Sequence, residues 1–280
     1  MKRKEFIFTI VVLLIVFIGI TIFKNWKYPK QNNSSTAVAK SDSVQIFWAY
    51  YNQATQCRLL DKSDSSIISY QAALKLNPDH KDALYYIGNM YMNVGLFDKA
   101  RESWEKLTEL DPQSERAFNQ LGSLYFCITR PNYFHPEKSK LYFERVYELN
   151  KEALNPNLHL GEIALFQNRT NDAFVIFNKL TMMDEKNREI NFLMGYLNWR
   201  IGKEQEAINN LEQAFELPGK ANSAQNPSIM GNQECNLFMN WLTNNLMVPE
   251  KYDIRLAMPK VYQKFDEYLI AMRRQLNHDR

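Results

Sequence analysis

Histidine is the side chain best suited to moving protons near neutrality or holding a metal, and the four here, His80, His135, His159 and His278, stand far apart. Metal-binding helices repeat their ligands at one-turn spacing, and no two of these histidines do so. His159 has Glu162 one turn further on, which reads as a neighbour pair on a helix face. Glu102 with Lys106 reads the same way. The sequence contains no GxxxxGK, GxGxxG, GxSxG or HExxH pattern. The three cysteines, Cys57, Cys127 and Cys235, form no CxxC pair and are expected to be buried free thiols. The chain is therefore not expected to be an enzyme, and no catalytic residue, metal, cofactor or small-molecule substrate is expected.

Charge narrows the partners. The formal net charge is +3, but residues 1–46 carry seven Lys/Arg against two acids, whereas residues 47–221 carry 20 basic against 23 acidic side chains. Residues 222–280 are nearly balanced, with seven against six. The basic excess sits at the N-terminal end, and the remainder lacks the positive field that phosphate neutralisation requires, so nucleic acid is not expected as a partner.

The elements that could carry a function begin with an apolar run. Phe6 to Phe23 reads FIFTIVVLLIVFIGITIF, 18 residues without a charge, which as a helix would span roughly 27 Å. Lys2, Arg3 and Lys4 precede it, and Lys24, Trp26, Lys27 and Tyr28 follow, as snorkelling bases and interfacial aromatics do around a membrane span. Residues 1–24 are thus expected to form a single-pass anchor contacting the membrane through 6–23. A small-x-small Ala37-Val38-Ala39 lies too far beyond the run to favour a cleaved signal peptide. With a short basic tail inside, the remainder is expected on the non-cytoplasmic side, periplasmic in a Gram-negative cell. Residues 25–46, polar and poor in large apolar groups, are expected to be a flexible linker.

Beyond residue 46 a spacing of 34 residues recurs. Residues 81–114 hold it most fully, with Leu84, Ile87-Gly88, Tyr91, Gly95, Ala100, Trp104, Leu107 and Pro112. Weaker copies occupy 47–80 (Tyr50, Ala54, Ser66, Tyr70, Ala73, Pro78), 154–187 (Leu160-Gly161, Ala164, Ala173, Phe177, Leu180) and 188–221 (Met194-Gly195, Gly202, Ala207, Leu211, Ala214). The unit 115–153 fits with Phe118, Leu121-Gly122, Tyr125, Ser139 and Phe143 once five extra residues are admitted between its helices. That surplus falls in 129–136, TRPNYFHP, either a second contact surface or a length variant.

These residues resemble the tetratricopeptide repeat family. The resemblance implies an all-α helical solenoid of about five antiparallel helix pairs over 47–221, with small residues where helices cross closely and aromatics between layers. Gly95, Asn168 and Gly202 fall at the tight turns, where positive φ is needed. Residues 222–280 are expected to be a linker and capping helices, one near 233–247 and one started by Pro259.

The resemblance further implies that the first helix of each pair lines a concave groove that binds a protein or peptide. The family's groove positions fall on Tyr51, Thr55 and Arg58; Tyr85, Asn89, Met92 and Asn93; Arg116, Asn119, Ser123 and Phe126; Leu158, Glu162 and Leu165; and Phe192, Tyr196 and Trp199. Of these, Tyr51, Arg58, Tyr85, Asn89, Asn93, Arg116, Asn119, Ser123, Glu162 and Tyr196 form the candidate binding set. Tyr51 and Thr55 stand where the carboxylate clamp of chaperone-tail binders has Lys and Asn, which speaks against that ligand. The expected role is a membrane-anchored interaction scaffold, an assembly or adaptor factor for an envelope complex, with an organelle-surface import receptor as the alternative.

Overall fold

The computed structural model describes residues 33–127, 129–216, 241 and 254–278. The apolar run 6–23 and the expected helix 233–247, apart from Trp241, lie outside these residues. No helix among the described residues is long and apolar enough to cross a membrane.

Eleven α-helices and no strands are found among the described residues. They are α1 (Asn33–Leu59), α2 (Ser63–Leu76), α3 (Lys81–Asn93), α4 (Phe97–Leu110), α5 (Glu115–Tyr125), α6 (Pro136–Leu149), α7 (Leu154–Phe166), α8 (Thr170–Met183), α9 (Arg188–Arg200), α10 (Glu204–Glu216) and α11 (Ile254–His278). The chain divides after Trp48 into two compact units. In the larger, α3 packs on α4, α5 on α6, α7 on α8 and α9 on α10, and each pair leans on the next. This is an all-α solenoid of antiparallel helix pairs.

Two sequence expectations change here. Residues 33–46, expected within a flexible linker, are helical. From Lys30 to Leu59 the chain has neither glycine nor proline, so nothing breaks a helix once it is nucleated. Pro259 does not start α11 but sits inside it, because the helix begins five residues earlier at Ile254. There Pro259 forfeits one backbone hydrogen bond near the helix end, where the loss is smallest.

The repeat chemistry accounts for the packing. A Cβ on Gly122 would come within 2.8 Å of the Phe143 ring, and one on Gly161 within 2.6 Å of Phe177. Gly88 meets Trp104 in the same way, and the indole Nε1 donates to the Tyr85 carbonyl at 3.3 Å. Trp104, Phe143 and Phe177 are fully buried, each contributing on the order of 2–3 kcal/mol of apolar burial. Where the second helix carries serine at its small position, the hydroxyl is satisfied: Ser66 donates to the Ala54 carbonyl at 2.9 Å and Ser139 to that of Gly122 at 2.7 Å. The turns close at Gly95 (φ 79°), Asn168 (φ 61°) and Gly202 (φ 77°).

Candidate protein-binding groove

At the front of the solenoid, α1, α3 and α5 present a half-exposed polar face. Tyr51 stands edge-on to Tyr70, with ring centroids 5.7 Å apart. Burial, and then the neighbouring Tyr70 and Asp82, push its hydroxyl up to about 12, so it remains a hydrogen-bond donor at any physiological pH. The Arg58 guanidinium lies 4.3 Å over the Tyr86 ring, and that of Arg116 lies 4.5 Å over Tyr85. Arg116 is also ion-paired with Asp82. Gln120 donates to the Tyr85 hydroxyl at 3.4 Å. Stacking of this kind fixes the direction of each arginine fork.

The asparagines separate this face from the rest of the molecule. Asn157 and Asn191 donate to the carbonyls of Ala153 (2.7 Å) and Asn187 (2.9 Å), and Asn198 donates to Asn210 at 3.0 Å. By contrast, the side-chain amides of Asn89, Asn93 and Asn119 make no hydrogen bond among the described residues, and Asn89 Oδ1 is buried without a partner. Ser123, on the same stripe, is only 8 % exposed and lies at the back of the face.

The rear half of the expected groove is covered. Glu162 and Tyr196 are 0 % and 1 % exposed, and Leu158, Leu165 and Phe192 are also buried. The covering element is α11. Phe265 packs on Phe192 and Tyr196, with centroids 5.1 and 4.9 Å away. The Tyr196 hydroxyl donates to Asp266 Oδ1 at 2.5 Å, and Arg200 donates to that same oxygen at 2.7 Å. Arg273 donates to the carbonyls of Leu165 and Phe166, each at 2.7 Å, closing the C-terminal end of α7. The candidate set is thus split. Tyr51, Arg58, Tyr85, Asn89, Asn93, Arg116 and Asn119 share an accessible face, while Glu162 is buried beside His159 and Tyr196 holds the chain's own C-terminal helix through Asp266.

Tyr262 explains why that helix docks there. Four of the five pairs place an aromatic at one position of the second helix, Tyr70, Trp104, Phe143 and Phe177, whereas the last pair has Leu211. The space above Gly195 is filled by the Tyr262 ring, whose hydroxyl donates to the Ala207 carbonyl at 3.4 Å. The absent aromatic was the sequence signal that could have revealed α11 as a groove element.

Beneath α11, His159 Nδ1 lies 2.9 Å from Glu162, and the imidazole stacks on Phe143 at 4.8 Å. Burial holds the His159 pKa below its usual value, with Glu189 opposing. Among the described residues no group of three His, Cys, Asp or Glu side chains could hold a metal ion. The cysteines depart from expectation: Cys57 is free but half-exposed, Cys127 is disulfide-bonded, and Cys235 lies outside the described residues. The sequence holds no CxxC pair or comparable spacing that would mark such a bond.

The 129–136 insertion folds back onto the solenoid. Residues Pro131–Tyr133 form a 3-10 turn. Phe134 is 3 % exposed, with its ring 5.7 Å from Phe126 and 4.9 Å from Phe166. Tyr133 meets Phe97 edge-on at 5.5 Å, and Arg130 lies 4.3 Å over the Phe97 ring. Its two aromatics are engaged in packing between pairs.

Comparison with known proteins agrees with this architecture. The tetratricopeptide repeat pattern is matched by residues 81–114 and, in a second form, by 49–80 and 189–220. Anaphase-promoting complex subunit 3 of Schizosaccharomyces pombe is 21 % identical over 182 residues, covering 65 % of this chain and 27 % of that protein. Anaphase-promoting complex subunit CDC16 of Saccharomyces cerevisiae is 25 % identical over 171 residues, covering 58 % and 20 %. The chain therefore spans about a quarter of the length of these curated relatives. Among solved structures, MamA superposes with a TM-score of 0.55 at 22 % identity, covering 64 % of this chain and 95 % of that one. YrrB, described as a TPR protein with an unusual peptide-binding site, gives 0.50 at 18 %, covering 65 % and 89 %. These structural likenesses establish the fold.

Proposed function

We propose that this protein is a membrane-anchored interaction scaffold whose α1–α3–α5 groove holds a protein or peptide client. The observation that carries the reading is the stripe of Asn89, Asn93 and Asn119, whose side-chain amides have no hydrogen-bond partner among the described residues, beside stacked tyrosines and arginines on an accessible face. Amide side chains that find no partner within the fold are suited to the backbone of an extended segment, and the rings to its apolar side chains. The anchor is the apolar run 6–23 with its basic and aromatic flanks. The repeats then face the non-cytoplasmic side, a placement that the Cys127 disulfide favours because such bonds persist in oxidising compartments. An assembly or adaptor factor for an envelope complex fits this layout.

The test is affinity capture with detergent-solubilised full-length protein, comparing wild type with an Asn89→Ala/Asn119→Ala variant whose helicity matches. Loss of a specific client from the variant is the expected result. A client retained at full yield would move the binding surface off this groove.

A further inference from the structure

We infer that the groove's ligand is a short extended segment, about six or seven residues long, that carries an acidic side chain over Arg58. The inference rests on the scaffold reading above and specifies the client's chemistry. Its first support is a charge without a counter-charge. On this face Arg116 is neutralised by Asp82, whereas Arg58 makes neither an ion pair nor a side-chain hydrogen bond among the described residues, and its Nε is buried without a partner. The carbonyls at the end of α1 offset part of that charge but leave Nε unmet. Because the fork is already stacked on Tyr86, a carboxylate can bind it without the full entropic cost of ordering an arginine.

The second support is the length of open face. Neighbouring helices pack about 8–10 Å apart, so α1 to α5 covers about 20 Å, and an extended chain advances about 3.3 Å per residue. Beyond α5 the equivalent positions are closed by α11 through Phe265, Asp266 and Arg273. A longer ligand gains nothing from the rear pairs. A nucleic-acid phosphate would also answer Arg58, but residues 47–221 carry more acids than bases, 23 against 20, which repels a polyanion while tolerating one carboxylate.

The experiment selects twelve-residue random peptides from a phage library on immobilised, detergent-solubilised full-length protein, then measures a selected peptide by titration calorimetry. The expected results are that trimming to the seven residues around its acid preserves affinity and that changing this acid to its amide weakens binding about tenfold or more. Arg58→Gln should weaken binding by the same factor and make acid and amide peptides equivalent, and Arg58→Lys, which keeps the charge but loses the fork, should fall between. If the acid and amide peptides bind alike while Asn89→Ala/Asn119→Ala still weakens both, the acidic ligand is refuted and the groove stands. If neither variant matters, or no peptide is recovered, both readings fall.

Discussion

At Gly195 a single hydrogen atom holds open the space that the Tyr262 ring enters, so the contact between the last pair and α11 depends on two residues 67 positions apart. Gly195→Ala should cost about 1–3 kcal/mol, read as a lowered urea midpoint, because a rigid ring must leave its site. Adding Tyr262→Phe removes the atom nearest the new methyl and should recover part of the loss; equal midpoints for the single and double variants would show that the clash lies elsewhere. The contacts of Gly88, Gly122 and Gly161 with their aromatics are legible because both partners belong to one repeat unit. Tyr262 is not, since nothing local in 254–278 reveals which crevice its ring fills.

Among the elements, α11 alters the functional surface most. Its amphipathic pattern marks a capping helix but not the face it covers: a cap at the end of the stack would leave the concave face of the last two pairs open to a ligand. The competition is one of burial: Phe192 and Tyr196 together form too apolar a surface to stay wet, and Phe265 covers both. Asp266 orients the helix on that surface. Asp266→Asn should cost only about 1 kcal/mol overall, since the pair with Arg200 is a quarter to a third exposed. Hydrogen exchange in α11 should nevertheless quicken while that in α3 stays unchanged. Uniform quickening in both helices would refute a local latch. The helical start of α1 was missed for a different reason: polar, alanine-containing sequence without a breaker is compatible with either state, and composition alone did not decide it.

Across the whole molecule, a solenoid's stability is a sum over neighbours, and the two largest cores among the described residues are unequal. The rear core joins Phe126, Phe143, Phe177, Phe192 and Phe265 through five successive helices and α11. The front core centres on Tyr70, Trp104 and Tyr125. Native-state hydrogen exchange should therefore release the amides of α2 at lower free energy than those of α8 and α9. The reverse order would mean that α11 adds little to the rear. Delegating the last aromatic to α11 also limits how the array can change over evolutionary time. Helical arrays grow by duplicating a unit, yet a second copy of 188–221 would bring a glycine facing a leucine and only one Tyr262 to serve both. Growth is open in the interior units, which carry their own aromatics, and closed at this end.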